Sequence, residues 1–169
     1  MKFDFLFLDS THVSPGEILN FIESLPFLKE NVIVVIHDLL WHFRRKSTNM
    51  KCYPSCISLI STLFGEKVFL KDINGKISNI GAVFLFPNQE KHYMDYFLLL
   101  LNFWEYMPKD KQIDELRIFI KNFYKDIKYI EAFNLAERYN KNWVNRTMKL
   151  NDSLKEKNNI LISLGTKWN

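Results

Sequence analysis

Two apolar segments with a helical pattern between them constrain the fold of this sequence more than any other feature. Residues 3–8 read FDFLFL, a run typical of a buried strand, and residues 32–36 are five β-branched residues in succession. Such a β-branched run is typical of a central strand that is covered on both faces. Apolar residues from 18 to 25 recur at helical spacing, after a candidate N-cap at Ser14 and before Pro26. Strand, helix and strand with short connections predict one right-handed βαβ unit with parallel strands.

The remaining sequence predicts a second pair of strands and then a series of helices. A helix closed by Gly65 precedes strands at residues 67–70 and 80–86, which a short connection allows to pair antiparallel. Helical spacing continues from about residue 89 almost to the end of the chain. We therefore predict an α/β fold with two parallel strands, a β-hairpin and an added helical region. The expected divisions are an α/β part at 1–87, a helical extension packed on it at 88–150, and a tail at 151–169.

Composition and charge exclude several classes of protein. Hydrophobic residues make up 47% of the 169 residues, which is too apolar for a disordered chain. The net charge is +4, and the densest basic cluster, Arg44–Lys46, is too short for a nucleic-acid surface and is interpreted as a solvated loop. The longest apolar run, Phe97–Phe103, is far shorter than the ~20 residues of a membrane span, and Asp4 interrupts any signal-peptide core. We expect a cytoplasmic protein that binds neither nucleic acid nor membrane.

The two cysteines are interpreted as reduced, buried thiols. Cys52 and Cys56 are four residues apart, so on a helix both would lie on one face. A disulfide framework needs more cysteines, and a redox pair needs a Cys-x-x-Cys spacing. His37 and His42 lie upstream, but the set lacks the paired spacing of a zinc site.

The strands at residues 3–8 and 32–36 each end at an aspartate that has a histidine close by in sequence. Asp9 and His12 follow the first strand, and His37 and Asp38 follow the second. Ligands bind at the carboxyl ends of parallel strands, and neighbouring strands lie ~4.8 Å apart, so we expect these groups to meet at one rim. They could bind a divalent ion or serve as acid and base. Alternatively, the two aspartates could cap a helix and satisfy loop amides.

Three segments carry a resemblance to a known family. Residues 4–12, 25–28 and 32–38 resemble the fourth strand, the following helix and the fifth strand of class I SAM-dependent methyltransferases. The nearest members are those that act on small molecules and sugars, including metal-assisted O-methyltransferases. In that family the fourth strand often ends in an Asp-Gly-Asp-His-like run and the fifth in His-Asp. Asp9 and His12 match the first pattern, whereas Ser10 and Thr11 replace its Gly and second Asp.

The resemblance implies a partial Rossmann-like methyltransferase sheet and a role for three residues. Asp9 and Asp38 would be metal ligands where the family uses a divalent metal, and His12 would line the acceptor pocket as the catalytic residue. The hairpin at 67–70 and 80–86 resembles the sixth and seventh strands of the same fold. The match covers the chain through residue 86 and is specific only through residue 38.

The family binds its cofactor SAM with a Gly-rich turn after its first strand, and this sequence contains no Gly-x-Gly. The resemblance therefore implies a truncated or split methyltransferase-like protein that is inactive as an isolated chain, with its cofactor-binding residues unknown. The alternative is a non-enzymatic assembly or binding module that uses the α/β half as a scaffold and the aromatic helices for contacts. A strand as apolar as residues 3–8 needs a cover for its far edge. We expect a homo-oligomer or a separate chain that supplies the missing half, and the remaining possibility is that the helical tail folds back over the edge.

Overall fold

The structure, a computed structural model, describes residues 2–11, 13–40, 55–71 and 74–144. Four strands in these ranges form a single mixed sheet with the order β1-β2-β4-β3. The strands are β1 (Phe3–Leu8), β2 (Leu28–Ile36), β3 (Gly65–Lys71) and β4 (Ile77–Leu85).

Helices connect the strands and follow them. They are α1 (Gly16–Ser24), α2 (Ser55–Thr62), α3 (Tyr93–Leu98), α4 (Asp110–Phe123) and α5 (residues 127–144). Short 3-10 turns at Leu25–Phe27, Gln89–His92 and Leu99–Leu101 extend or join them. No helix in the described ranges is both long enough and apolar enough to cross a membrane.

Strand pairing confirms the predicted βαβ unit and the predicted hairpin. β1 and β2 are parallel, with Phe7 opposite Val35 and Leu8 opposite Ile36. β4 is antiparallel to β3, as predicted, and it also inserts antiparallel beside β2. Because of this insertion, the start of β4 lies beside the end of β2, at the rim where Asp38 emerges.

Only one face of the sheet is covered by the described helices. Leu8, Val34 and Val83 on the inner face are buried, whereas Phe5 and Phe7 on the outer face are 54% and 50% exposed. The expectation of a buried first strand and of two covered faces is therefore wrong for the outer face. The reason is positional: β1 is an edge strand, and α1 and α2 both pack on the inner face.

Three local predictions differ from the structure. Gly65 begins β3 instead of closing α2, which ends at Thr62, and a Cβ on Gly65 would clash with the carbonyl oxygen of Phe84. The helical spacing predicted from about residue 89 onward is interrupted after α3, where Trp104 lies in a segment without regular structure. Ser14 does not cap α1 and instead buries a hydroxyl that has no hydrogen-bond partner among the described residues.

The helical region shares one hydrophobic core with the α/β part. The hydroxyl of Tyr124, just after α4, donates to the main-chain carbonyl of Ile22 in α1. The side chain of Asn140 in α5 accepts a hydrogen bond of 2.8 Å from the Trp104 amide and donates to the carbonyl of Ala136. Buried residues from both regions form a single contiguous cluster, which holds the rim of the sheet in place from behind.

Candidate functional site

The carboxyl ends of β1 and β2 bring Asp9, His37 and Asp38 together. The His37 main-chain amide donates to the carbonyl of Leu8 at 3.0 Å, which continues the parallel ladder past the last paired residues. This bond fixes the point at which the two chains leave the sheet. The structure thus places Asp9 and Asp38 at one rim, as the sequence predicts.

His37 lies between the two carboxylates. Its Nδ1 atom is 3.2 Å from Oδ1 of Asp9 and 3.6 Å from Oδ1 of Asp38. One possible ligand atom from each of the three residues lies within 4.8 Å of the other two. The imidazole lies beside the Phe7 ring, with 6.4 Å between the ring centroids. The cluster is open to solvent on one side because Asp9 is exposed and the other two side chains are half-buried.

Asn79, at the start of β4, holds the Asp38 loop. Asp38 has a φ of 53°, in the left-handed region that Asp tolerates better than most residues. The Leu39 amide donates to the main-chain carbonyl of Asn79 at 3.1 Å, and the Leu40 amide donates to its side-chain oxygen at 2.8 Å. The Asn79 side-chain amide in turn donates to Asp38 Oδ1. Asn79 therefore positions one carboxylate of the cluster.

Sequence reasoning missed Asn79 because it paired the hairpin strands only with each other. The sequence signal that could have identified Asn79 is its position immediately before the strand predicted at 80–86. Once β4 is placed antiparallel beside β2, its first residues must reach the rim where β2 ends.

A third carboxylate, Glu17, lies buried beneath the rim. Its side chain is on the first turn of α1, and the residue is only 1% exposed. The hydroxyls of Ser10 and Ser55 donate to its two oxygens at 3.1 and 3.2 Å. The sequence identified Glu17 only as an acid near a helix start, because nothing local shows that the loop after β1 and helix α2 close over it.

Cys56 lies close to this carboxylate and is chemically inert. The residue is buried, and burial raises the pKa of its thiol to about 12, with the negative charges of Glu17 and Asp38 adding to the effect. A protonated, buried thiol is a poor metal ligand and a poor nucleophile. Cys56 thus fits the predicted buried, reduced thiol, and Cys52 lies outside the described residues.

The proposed catalytic residue, His12, lies outside the described residues, as do the basic residues 44–46. Next to it, the Thr11 hydroxyl donates to the carbonyl of Val13 at 3.1 Å and lies against Gly16. Burial raises the pKa of the neighbouring Tyr106 hydroxyl.

The rim donors fit a divalent metal. Two carboxylates and one imidazole are ligands that ions such as Mn²⁺ accept. Neighbouring ligands of an octahedral ion at ~2.1 Å are about 3 Å apart, close to the separations of His37 Nδ1 from the two carboxylate oxygens. Asp9, His37 and Asp38 would hold the ion, which would supply Lewis-acid polarisation of a bound hydroxyl.

The described glycines do not fit SAM. A Cβ on Gly16, Gly65 or Gly81 would meet atoms of this chain: Thr11, the Phe84 carbonyl, and the Ile60 and Leu39 side chains, respectively. At these three positions the absence of a side chain allows the protein to pack closely on itself. Gly75, with a φ of 73°, serves the turn between β3 and β4. The described residues contain no glycine-lined cradle for SAM.

Comparison of the chain with protein-family models, with curated proteins and with solved structures finds no match. Its function must therefore be inferred from its own residues and their geometry.

Proposed function

We propose that this chain is a methyltransferase-like half-domain that carries the acceptor side of the fold and a divalent-metal site, and that these 169 residues do not transfer methyl groups by themselves. The observation that carries the proposal is the Asp9–His37–Asp38 cluster at adjacent parallel strand ends. In the metal-assisted members of the family that the sequence resembles, metal ligands occupy those two strand ends. His12 remains the proposed acceptor-pocket residue.

The order of the strands supports the same proposal. In class I methyltransferases the last strand inserts antiparallel between the fifth and the sixth. Here β4 inserts between β2 and β3 and is antiparallel to both. If β1 and β2 correspond to the fourth and fifth strands, the whole described sheet follows that order.

Calorimetry with the full chain tests the metal site. We expect Mn²⁺ to bind with one site per chain, and we expect Asp9→Asn to weaken binding at least tenfold because one charged ligand is lost. Asn79→Ala should weaken binding less, since Asn79 only positions Asp38. Asn122→Ala, on the exposed surface of α4, is the control and should bind as the wild type does.

A SAM titration tests the half-domain part of the proposal. We expect no heat of SAM binding to the chain alone, with or without Mn²⁺, because the described glycines are all packed against the protein or in a turn. Micromolar SAM binding would overturn the half-domain proposal. Failure of Mn²⁺ to bind, or equal binding by Asp9→Asn, would overturn the metal site.

A second candidate, an assembly module without catalysis, is favoured by the outer face of the sheet. Phe5 and Phe7 on β1 and Phe84 on β4 are each about half exposed there, with β2 between the two strands. An apolar surface of this kind is typical of a protein interface. Mn²⁺ binding distinguishes the two candidate functions, because a pure assembly module does not need a metal site.

A further inference from the structure

The two edges of the sheet differ in how they are protected from other strands. β3, at one edge, carries Glu66, Lys67 and Lys71, and charged side chains discourage strand addition. β1, at the other edge, carries one acid, Asp4, which is paired with Lys29 of its neighbour strand at 3.1 Å. Among the described residues, β1 therefore carries fewer charges that discourage strand addition than β3 does.

The side chains along β1 are suited to burial. Phe3, Phe5 and Phe7 all point to the outer face and are 45%, 54% and 50% exposed. Along the same strand runs a groove of about 410 Å³, which lies between β1 and the end of α1 and is lined in part by the same three rings. Phe27 forms part of its wall, and its ring packs 5.1 Å from the Phe123 ring, centroid to centroid. A strand that paired with β1 would cover the three rings and place its own side chains in this groove.

The sequence of β1 is self-complementary when two copies of the strand pair antiparallel. A twofold interface needs residue i to face j while j faces i. When the twofold axis passes through Phe5, Phe5 of one copy faces Phe5 of the other. Phe3 of each copy then faces Phe7 of the other, so all of these cross-strand pairs are aromatic. Asp4 of each copy then faces Leu6 of the other, so the two Asp4 carboxylates are not directly opposite each other. Moving the axis to Asp4 would place the acids directly opposite, and moving it to Leu6 would place Phe3 opposite Asp9.

The area available at β1 is close to the lower limit for a specific dimer. A phenylalanine side chain can bury about 200 Å², so half of each of the three rings gives about 300 Å² per copy. The main-chain edge of β1 and the groove walls add a similar area. The total for two copies approaches the roughly 1,200 Å² at which specific interfaces begin.

We propose that β1 pairs antiparallel with β1 of a second copy of this chain, about a twofold axis at Phe5. The two sheets join into one continuous sheet, and each groove receives side chains of the partner copy. The two metal-binding rims lie at opposite ends of the joined strands, because antiparallel pairing directs the two strand ends away from each other. The dimer is thus independent of the proposed metal site, and each can fail without the other.

Light scattering on the full chain tests this proposal. We expect the wild type at 100 µM to have twice the monomer mass of 20.3 kDa. Phe5→Lys should yield monomers, because it puts two like charges face to face on the axis. Phe84→Lys is the matched control: Phe84 is also on the outer face and is 42% exposed, but it lies two strands away from the edge and should leave the dimer intact.

A crosslink keeps the test decisive if Phe5→Lys fails to fold. In a Cys52→Ser background, Phe5→Cys places two thiols directly opposite across the axis, within disulfide distance. We expect mild oxidation to yield a covalent dimer of Phe5→Cys and not of Phe84→Cys. A monomeric wild type, as expected if another chain or another segment covers β1, would overturn the proposal. So would a dimer that Phe84→Lys dissociates and Phe5→Lys does not.

Discussion

Beneath the rim, a buried carboxylate accepts hydrogen bonds from two hydroxyl groups. Glu17 accepts from Ser10 and Ser55 and ties the loop after β1 to helix α2. This arrangement holds the Asp9 side of the cluster from below, since Ser10 is the next residue in the chain. A buried charge is tolerated in a protein only where such bonds replace its hydration.

Replacing Glu17 should destabilise the fold. Glu17→Ala removes the acceptor from two hydroxyls and leaves a cavity, and each unpaired buried group costs about 1–3 kcal/mol. We expect a loss of about 2 kcal/mol in the free energy of unfolding, measured by urea denaturation. Glu30→Ala, an exposed acid on β2, is the control and should be close to neutral. An equal effect of the two substitutions would contradict this account of Glu17.

The thiol of Cys56 provides a second test at the scale of one residue. Burial raises its pKa to about 12, so the native protein keeps the thiol protonated at pH 8. In a Cys52→Ser variant we expect reaction with a thiol reagent at pH 8 to be at least about a hundredfold slower in buffer than in urea, because only the thiolate reacts. The thiol of the unfolded chain ionises at a lower pH than the buried thiol. The free energy of unfolding should therefore fall as the pH rises above the pKa of the unfolded thiol. Fast labelling of the native protein would show that Cys56 is accessible.

At the scale of elements, α4 is joined to α1 by one buried hydrogen bond. The Tyr124 hydroxyl donates to the Ile22 carbonyl, and its ring packs edge-on to Phe97 with 5.0 Å between centroids. Burial raises the pKa of Tyr124 well above its usual range, so the hydroxyl stays a donor. The bond links residues 102 positions apart in the sequence and fixes the helical region on the α/β part.

Removing this hydroxyl should cost stability without changing the packing. Tyr124→Phe leaves the Ile22 carbonyl without its side-chain donor in a buried site, and we expect a loss of about 1–2 kcal/mol in the free energy of unfolding. Tyr139→Phe is the matched control, because Tyr139 is 50% exposed and loses only a solvated hydroxyl. Denaturant titrations of the two variants measure the difference. A Tyr124→Phe protein as stable as the control would mean that the bond contributes nothing.

The elements themselves were largely predictable, and the reasons differ from one to the next. The β-branched run at 32–36 and the helical spacing from 18 to 25 are local signals, so β1, α1 and β2 follow from them. The pairing of β4 with β2 is a long-range event with no local signature, and Asn79 was missed for that reason. Gly65 was misassigned because glycine is common both after helices and where two main chains approach closely.

At the scale of the whole molecule, the sequence predicts how apolar a strand is and not which of its faces is covered. The run at residues 3–8 has the composition of a buried strand, yet the described helices leave its outer face exposed. Composition therefore predicts that the strand needs a cover, and the structure shows which surface the described residues leave exposed: the outer face of β1. The predicted rim, by contrast, follows from parallel pairing alone, because both strand ends must lie on the same side.

The Asp9–His37–Asp38 cluster carries the proposed function, and paramagnetic broadening tests directly whether it binds a metal ion. Substoichiometric Mn²⁺ added to the ¹⁵N-labelled full chain broadens only amide signals near the ion. We expect the signals of residues 9–11, 37–40 and 79 to disappear first, and Asp38→Asn to abolish the effect. Broadening centred elsewhere, or uniform weak broadening that Asp38→Asn leaves unchanged, would contradict the assignment of this rim as a metal site.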